Sequence, residues 1–442
     1  MSKLTFRGGV HPYDGKNLSK SKPVRMLLPE DGEEMVFPMS QHIGAPAVPV
    51  VKKGDVVLVG QKIGEMAGFV SSNIISSVSG EVVGIEPRLT VSGAKVNSVI
   101  VKNDGEYRAI EGLGEKREIG NLTKEYIIQS IQEAGIVGMG GAGFPTHVKL
   151  SPKNPKQIDT ILVNAAECEP YLTSDYRMMM ECPEQIVGGL KIVLKLFEQA
   201  RGIISVEDNK MDAVERLKDA VKSEKNIKVK VLKTKYPQGA ERQLIYASTG
   251  RKINSSMLPA DAGCIVNNVD TMISVYRAVC LNTPLIRRIV TITGDAINEP
   301  CNFEVKIGMS FQSMLAKAGG FKCEPEKVIS GGPMMGVALF SLDIPVSKTS
   351  SALLAFSKDE VAAYEPTACI HCGRCVKVCP SRLIPQKMLE YSNAFDDEGF
   401  QKIYGMECYE CGTCTYVCPA KRRMTQSFKQ TRRSILDNRK KV

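Results

Sequence analysis

The sequence predicts a multidomain α/β protein that ends in a cysteine-rich domain. Three observations support this prediction. The first hundred residues alternate apolar and polar positions between glycine turns, and the middle of the chain alternates strand-like with helix-like segments. Eight of the 14 cysteines fall in one C-terminal region. At 442 residues the chain is long enough for about three domains.

Residues 1–112 are predicted to form a small antiparallel β-domain. Between residues 51 and 88, apolar positions alternate around Gly54, Gly60, Gly64 and Gly80, a pattern of short strands joined by turns. The region resembles the barrel-sandwich hybrid of lipoyl and biotinyl carrier domains. Those carriers present a modifiable lysine at a hairpin tip, where this chain has Val-Ser-Ser-Asn at residues 70–73. We therefore interpret the domain as structural rather than as a swinging arm.

Residues 113–286 are predicted to form an α/β domain with parallel strands. Helical spacing at residues 123–134, with Thr123 as N-cap, precedes a glycine-rich loop and a strand at residues 160–167. Strands that alternate with helices of this length are typical of a parallel sheet. The later elements are predicted as helices at 184–199 and 210–223 and a strand at 228–234.

Residues 287–356 are predicted to begin with a strand, a turn, a second strand and a short amphipathic helix that ends near residue 321. A connecting stretch is expected from there to residue 356. The cysteine-rich domain is then predicted at residues 357–420, with a helix at residues 383–395 between its two halves.

Two copies of C-x₂-C-x₂-C-x₃-C-P lie in this last domain. The spacing is typical of two-cluster bacterial ferredoxins, in which the fourth cysteine of each run ligates the other cluster. Structural zinc sites also use C-x₂-C spacing, but the third cysteine and the trailing Cys-Pro favour clusters. We assign Cys369, Cys372, Cys375 and Cys418 to one [4Fe–4S] centre, and Cys408, Cys411, Cys414 and Cys379 to the second.

Much of the net charge of +10 lies in residues 421–442, which carry nine lysines and arginines against one aspartate. One interpretation is a disordered, solubilising tail. The other is a docking segment for an acidic redox partner or an anionic membrane surface. Nucleic acid is not expected as a partner, because the segment has one phenylalanine and no tyrosine or tryptophan for base stacking.

The composition is that of a soluble protein, with 24% charged residues and a mean hydropathy of −0.10. No apolar run approaches the ~18 residues of a membrane span. The first residues, MSKLTFRGGVHPYDG, lack the apolar stretch of a signal peptide. Iron–sulfur clusters need reduced thiolates, so a reducing cytosol is the expected compartment.

The glycine-rich loop contains Gly138, Gly140 and Gly143 in a G-x-G-x-x-G pattern. A Rossmann site would need a strand before this pattern and a helix after it. Here a helix precedes the pattern and Pro145 follows it, so a Rossmann site is not predicted. The loop still allows backbone N–H groups to approach a phosphate or a flat ring, and Lys149 is placed to neutralise a phosphate. A purely structural loop is the alternative.

Three further segments accompany the loop: NAAECEPY at residues 164–171, YPQGAER at 236–242 and NNVDT at 267–271. The first follows a strand, at the usual ligand edge of a parallel sheet. In this order the loop and the three segments resemble the flavin- and NADH-binding subunit of respiratory complex I. That family has an aspartate and a glutamate where this chain has Ala166 and Ala240.

The resemblance implies an FMN site and an NADH site. Glu169 and Glu241 are expected to face the nicotinamide or ribose of NADH and to orient it. The residues expected to hold FMN are Gly138, Gly140, Gly141, Ala142, Gly143, Phe144, Lys149, Asn164, Glu167, Tyr236, Gly239, Asn267, Asn268 and Thr271.

The whole chain resembles the C subunits of the Rnf complex, a membrane-bound ferredoxin:NAD⁺ oxidoreductase that exports Na⁺ or H⁺. The resemblance rests on the start TFRGGVHPYDGK, the barrel-sandwich region, the flavin segments and the two cysteine arrays. It implies a β-grasp, SLBB-like module at residues 287–356. Other Rnf subunits bind flavin covalently through the threonine of S-G-A-T. The nearest string here is SGAK at residues 92–95, so FMN is expected to be noncovalent.

The resemblance also implies the partners and the location. The chain is expected at the cytoplasmic face of the cell membrane, as a peripheral subunit without a transmembrane segment. Its partners would be NADH and the other Rnf subunits, among them a ferredoxin-like subunit, with ferredoxin reached indirectly.

The predicted cofactors are chemically compatible with one another. NADH gives up a hydride, which carries two electrons, whereas an iron–sulfur cluster accepts one, and a flavin mediates between them. We expect hydride transfer between nicotinamide C4 and flavin N5, followed by single-electron transfer through both clusters. Two alternatives stay open: a flavin-dependent cobalamin reductase of a microcompartment, and a non-enzymatic electron-transfer protein whose flavin pocket has decayed.

Overall fold

The strands form several separate sheets, and apart from the first strand the regions that contain these sheets follow one another along the chain. A computed structural model describes residues 4–118 and 122–439. In this part of the chain, antiparallel sheets come first, then a parallel sheet with helices, a mixed sheet, and a helical cysteine-rich region. The predicted multidomain α/β architecture is confirmed.

The N-terminal region contains two antiparallel sheets, with strand orders β2-β8-β7-β4 and β3-β5-β6. They share a core that includes Phe37, Ile63, Ile74 and Val99, all fully buried. β1 leaves this region and joins the mixed sheet described below. The strands are β1 Arg25–Leu27, β2 Glu34–Pro38, β3 Val48–Pro49, β4 Val56–Val57, β5 Lys62–Glu65, β6 Ile74–Ile75, β7 Gly80–Leu89 and β8 Lys95–Asn103.

The hairpin tip, where carrier domains present a lysine, is enclosed by the rest of the protein. Ser72 and Asn73 are each 1% exposed. The Lys348 ammonium, itself 1% exposed, donates to the Ser72 hydroxyl at 3.1 Å, to the Gly135 carbonyl at 2.7 Å and to the Asn73 carbonyl. Burial lowers the Lys348 pKa to about 7. A tip held from three sides in this way is fixed in place.

The α/β region is built on four parallel strands in the order β11-β10-β9-β12. The first helix begins as predicted, because the Thr123 hydroxyl accepts a hydrogen bond from the Tyr126 amide. Its Ile127 and Ile131, four residues apart, are fully buried. The elements are α1 Lys124–Glu133, α2 Thr146–Lys149, β9 Thr160–Ala165, α3 Ser174–Glu181, α4 Pro183–Leu194, β10 Arg201–Glu207, α5 Met211–Ala220, β11 Ile227–Leu232, α6 Glu241–Thr249, β12 Cys264–Asn268 and α7 Val269–Leu281.

The mixed sheet corrects the predicted connecting stretch after residue 321. Its order is β1-β14-β13-β17-β15-β16, so three strands lie within that stretch, and one of them, β17, lies in the middle of the sheet, beside β13. β17 was missed because its sequence, ALLAF, is a short apolar run without periodicity. The elements are β13 Arg287–Thr293, β14 Cys301–Lys306, α8 Phe311–Lys317, β15 Lys327–Ser330, β16 Val337–Ala338 and β17 Ala352–Phe356.

The cysteine-rich region is helical, with the predicted helix between its halves. The disordered-tail interpretation is wrong for residues 424–439, which form a helix. Met424, Phe428 and Ile435 of this helix are buried in the regional core. Lys440 and Lys441 of the basic segment lie outside the described residues. The helices are α9 Arg374–Val378, α10 Pro385–Asn393, α11 Asp397–Lys402, α12 Thr413–Tyr416 and α13 Met424–Arg439.

We predict that Phe428→Ala destabilises the cysteine-rich region by about 3–5 kcal/mol, the usual cost of removing a buried phenylalanine. Phe428 is 1% exposed and packs in the core shared by α10 and α13. Hydrogen–deuterium exchange should show faster amide exchange in both helices. Leu436→Ala, at a position of α13 that is 44% exposed, is the control and should leave α10 unchanged. Equal protection in both variants would contradict the packing described here.

Candidate functional site

The motif segments meet at one edge of the parallel sheet. β9 ends at Ala165, β12 ends at Asn268, and the loop after β11 carries Tyr236. Neighbouring parallel strands end at the same edge, so the loops that follow them come together. Asn268 lies opposite Asn164 in the pairing of β12 with β9. The Asn164 amide donates to the Gly239 carbonyl at 2.8 Å, which ties the first segment to the second.

The glycine loop packs against the start of α7. The Met139 amide donates to the Thr271 hydroxyl at 3.1 Å, and the base of the loop is closed by the Gly138 amide bonding to the Phe144 carbonyl at 2.9 Å. A Cβ on Gly140 would lie 3.0 Å from the Asn268 side chain. Gly140, Gly141 and Ala142 are exposed, so the tip of the loop is free to contact a ligand.

Lys149 and Glu241 differ in their exposure to solvent at this edge. The Lys149 ammonium donates a hydrogen bond to the Val266 carbonyl at 2.9 Å. It also lies beside the loop, since a Cβ added to Gly138 would be 3.7 Å from this ammonium. Burial lowers the Lys149 pKa, and the charge of Glu241 opposes that effect. Glu241, at the first position of α6, is exposed.

The buried carboxyl group of Glu167 and the partly buried one of Asp175 form the floor of the site. Glu167 accepts the Asp175 amide at 2.8 Å, and Asp175 accepts the Asn268 amide group at 2.7 Å. Burial and the Glu167 charge raise the Asp175 pKa to about 7. Burial also raises the Glu167 pKa, although the Lys16 ammonium, 3.5 Å away, opposes the shift.

Glu169 and Tyr236 point toward the cysteine-rich region. Glu169 accepts the Met334 amide at 3.2 Å, and burial raises its pKa to about 7. Tyr236, 1% exposed, lies beside Glu169 and donates from its hydroxyl to the Cys411 carbonyl at 2.8 Å. The expectation that Glu169 orients the nicotinamide stays a prediction. In the structure, the Glu169 carboxyl group faces the loop at Met334 and does not face Glu241.

A second contact joins the same two regions. Arg242, in the segment that follows Tyr236, donates to the Glu407 carboxylate at 2.8 Å, one residue before Cys408. Gln243 donates to the Tyr409 hydroxyl at 2.9 Å. The first turn of α6 therefore packs against the start of the second cysteine array.

Polar atoms without partners lie around the edge. Among the described residues, neither amide atom of Asn267 or of Gln238 has a hydrogen-bond partner, nor has the Thr146 hydroxyl. All three side chains are at most 2% exposed. Buried polar groups are normally satisfied, and unpartnered ones call for a missing ligand or water. The donors, the glycine loop and the lysine fit a flavin with its phosphate.

The cysteines surround two cavities. Their grouping matches the one that the spacing predicts, with the fourth cysteine of each run exchanged. One cavity is lined by Cys369, Cys372, Cys375 and Cys418, and the other by Cys379, Cys408, Cys411 and Cys414.

The arrangement fits clusters better than zinc. A single zinc ion is bound by ligands at about 2.0–2.3 Å, whereas four thiolates around a cavity suit a larger iron–sulfur group.

The structure also reveals site residues that the sequence reasoning missed. Lys16, from the N-terminal segment, reaches Glu167, and Asp175 bridges Glu167 and Asn268. Lys16 and Glu167 are separated by about 150 residues, so no local pattern pairs them. Asp175 follows the NAAECEPY segment closely, and that proximity is the only local signal for it.

Four segments match families of known domains. Residues 4–106 match "RnfC Barrel sandwich hybrid domain", residues 131–277 "Nuo51 FMN-binding domain", residues 289–338 "SLBB domain" and residues 365–422 "4Fe-4S dicluster domain". Their order is the one predicted from the sequence.

Relatives that match almost the whole chain identify its family. The chain is 46% identical over 437 residues to the C subunit of the Na(+)-translocating ferredoxin:NAD(+) oxidoreductase complex of Acetobacterium woodii, covering 99% of this chain and 98% of the relative. The chain belongs to this family of C subunits. It is also 46% identical over 384 residues to the proton-translocating counterpart of Clostridium ljungdahlii, covering 87% and 83%. The C subunit of the ion-translocating oxidoreductase complex of Rhodobacter capsulatus is 36% identical over 407 residues, covering 91% and 78%.

Family membership confirms the predicted resemblance and fold class, including the FMN-binding and dicluster domains. These relatives are named as subunits of multi-subunit complexes. Across residues 4–118 and 122–439, no helix combines the length and apolar character needed to span a bilayer.

We predict that Asp175→Asn changes the pH dependence of stability in the flavin-free protein. The native Asp175 carboxyl keeps its proton up to about pH 7, whereas in the unfolded chain it ionises near its ordinary value of 3.8. The free energy of unfolding therefore falls as pH rises between those values, and the asparagine variant lacks this fall. The difference should be on the order of 1–3 kcal/mol.

The measurement is the apparent Tm of wild type and variant at pH 5 and pH 7.5. The Tm of the variant relative to wild type should be higher at pH 7.5 than at pH 5. Asp219→Asn, at an exposed position of α5, is the matched control and should show no such trend. A pH-independent difference for Asp175→Asn would mean that this carboxyl is ionised throughout.

Proposed function

We propose that the chain is the NAD(H)- and FMN-binding subunit of a membrane-bound ferredoxin:NAD⁺ oxidoreductase that translocates Na⁺ or H⁺. The names of the two relatives at 46% identity give this activity, one with Na⁺ and one with protons. The chain itself would carry the electron-transfer steps between nicotinamide and the next subunit.

The observation that carries the proposal is the contact between Tyr236 and Cys411. Tyr236 belongs to the predicted flavin edge, and Cys411 lines a cysteine cavity. Their hydrogen bond of 2.8 Å is fully buried. A flavin site and a cluster site joined by one side chain support direct electron transfer between them.

The edge of the parallel sheet would hold FMN. The N–H groups at the exposed tip of the glycine loop are free to approach its phosphate, with Lys149 nearby as the positive charge. Asn267 and Thr146 offer polar atoms that lack partners among the described residues. Bound there, FMN supplies exchange of two electrons with nicotinamide and of single electrons with clusters.

Glu241 would orient the dinucleotide, because it is the exposed carboxylate of the edge. It can accept hydrogen bonds from ribose hydroxyl groups without changing its protonation. Glu169 would orient the dinucleotide from the side of the cysteine-rich region. Its carboxyl group there accepts a hydrogen bond from the Met334 amide and lies next to Tyr236.

The two cavities differ in their position relative to the flavin edge. The cavity with Cys411 adjoins Tyr236, and Cys411 is 7% exposed. The cavity with Cys372 is lined by an exposed loop, and Cys372 itself is exposed. We infer that the buried centre exchanges electrons with FMN and the exposed centre with the partner. The eight cysteine thiolates would hold the two clusters, which would supply one electron each for the conversion of NAD⁺ and H⁺ into NADH.

The partner would be a ferredoxin-like subunit of the complex, with ferredoxin reached through it. The chain would sit as a peripheral subunit at the cytoplasmic face, where NADH and ferredoxin occur. Exposed basic residues of α13, such as Arg433 with 85% of its side chain exposed, support docking of an acidic redox protein.

The alternatives have less support. The relatives described above are C subunits of ion-translocating complexes, which favours that role over a cobalamin reductase. A decayed flavin pocket would be expected at Ala166 and Ala240. Instead, the backbone around them stays in place, since Asn164 still bonds to Gly239.

We predict that NADH bleaches the flavin absorbance of the chain. For this measurement the chain is purified anaerobically, loaded with FMN and reconstituted with iron and sulfide. After reduction with dithionite and removal of the excess by desalting, NAD⁺ should reoxidise both clusters, as followed by EPR. Cys411→Ser should leave flavin bleaching intact and block reoxidation of the exposed cluster. Cys372→Ser should leave reoxidation of the buried cluster intact.

Cys323→Ser, an exposed cysteine outside both arrays, is the control and should behave as wild type. If FMN fails to bind or to bleach while dithionite still reduces the clusters, the chain is an electron-transfer protein without a nucleotide site. If both cysteine variants block reoxidation equally, the order of the clusters is wrong.

A further inference from the structure

We propose that residues 6–19, the N-terminal strap, hold the buried cluster segment and the flavin edge at a fixed separation, with Lys16 as the positioning residue. The inference rests on the proposed electron transfer between these two sites. The strap contains the GGVHP and DGK motifs, for which the proposed reaction assigns no role. One end of the strap contacts the buried cluster segment, and the other end contacts the loop after β9 at the flavin edge.

The first anchor is a glycine turn against the cluster segment. The Gly9 amide donates to the Val378 carbonyl at 2.8 Å, next to Cys379. A Cβ on Gly8 would lie 2.9 Å from the carbonyl oxygens of Val378 and Cys379. With φ of 88° and 81°, Gly8 and Gly9 adopt a conformation that other residues rarely tolerate. Both glycines are therefore needed for the strap to approach this closely.

The same turn is bonded to the flavin edge. Val10 and Tyr236 exchange two backbone hydrogen bonds, at 2.8 and 2.9 Å. The Lys235 ammonium donates to the Gly8 carbonyl at 2.9 Å and lies 4.0 Å from the centre of the Phe6 ring. The strap thus contacts the backbone of the residue whose hydroxyl reaches Cys411.

The second anchor is Lys16, which enters the loop after β9. Its ammonium donates to the Glu169 carbonyl at 2.9 Å and to the Leu172 carbonyl, and lies 3.5 Å from the Glu167 carboxylate. Lys16 is only 6% exposed. The Tyr171 amide donates to the Asp14 carbonyl at 2.6 Å, so the backbone of the strap follows the same loop.

These contacts make Lys16 more than a packing residue. A buried positive charge within 3.5 Å of Glu167 acts on the electrostatics of the flavin edge, because charges interact strongly where water is excluded. Electron uptake makes a bound flavin more negative, so a nearby ammonium favours its reduced form. Lys16 therefore holds the position of the Glu167–Leu172 loop and, together with the buried Lys210, contributes to the local potential.

The test uses the full chain with FMN and both clusters. Gly9→Ala places a Cβ 2.7 Å from the Tyr236 carbonyl. It should slow reoxidation of dithionite-reduced clusters by NAD⁺ about tenfold, while flavin bleaching by NADH stays within about twofold of wild type. Gly54→Ala is the matched control, because Gly54 also has positive φ but no atom within 4 Å of its Cβ.

Lys16→Met should shift the flavin midpoint potential to a more negative value. Lys16→Arg, which keeps the charge, should retain more of the wild-type potential, a rescue that a purely structural role would not give. Lys20→Met, at an exposed neighbouring position, is the control and should leave the potential unchanged.

A milder variant covers the case in which Gly9→Ala fails to fold. Lys235→Met removes the bonds to the strap without adding atoms in a tight space, and should slow cluster reoxidation in the same direction. Wild-type rates in the strap variants, together with an unchanged potential in Lys16→Met, would overturn the inference. If wild-type clusters are not reoxidised by NAD⁺ at all, the proposed function itself fails.

Discussion

The buried hydrogen bond between Tyr236 and Cys411 is the contact on which the arrangement of the molecule depends. The Tyr236 backbone is paired with Val10, its hydroxyl is bonded to the cysteine array, and its ring lies in an apolar cluster with Met334. Residues from four parts of the chain are thus in contact at Tyr236. The hydroxyl has its partner only when the flavin edge and the buried cluster segment are in contact, so these two parts must assemble together. The strap and the SLBB region add backbone bonds and apolar packing at the same residue.

The chemistry of the site follows from how this assembly excludes water. Carboxyl groups that would be ionised at the surface are buried at the flavin edge, and the pKa values of Asp175 and Glu169 rise to about 7. Lys16 supplies a compensating charge from the opposite end of the chain. A flavin bound above such a floor experiences a field set by fixed protein groups rather than by mobile water. Glu167 and Glu169 of this floor lie in the loop after β9, which the strap contacts, and Asp175 lies in the first turn of α3.

Local signals in the sequence were sufficient for some features and not for others. The cysteine spacing predicted which thiols share a cavity, and Thr123 predicted the start of α1, since both depend on neighbours along the chain. β17 escaped prediction because its partners lie far away in sequence and its apolar run has no period. The charge of α13 indicated disorder, yet Met424, Phe428 and Ile435 recur at helical spacing and are buried. The pairing of Lys16 with Glu167 needs the tertiary fold.

Lys348 has a mechanical consequence for the glycine loop. Its amine ties the barrel-sandwich hairpin at Ser72 and Asn73 to Gly135, which lies three residues before Gly138. A partner that displaces the N-terminal domain would therefore also displace Gly135, at the start of the loop expected to bind the phosphate. The domain that presents a mobile lysine in carrier proteins is here bonded firmly to the α/β region, since the Asn73 amide group also donates to the Gln132 carbonyl at 3.3 Å. The three acceptors of the Lys348 ammonium are uncharged oxygen atoms, so the joint is held by hydrogen bonds rather than by ionic attraction.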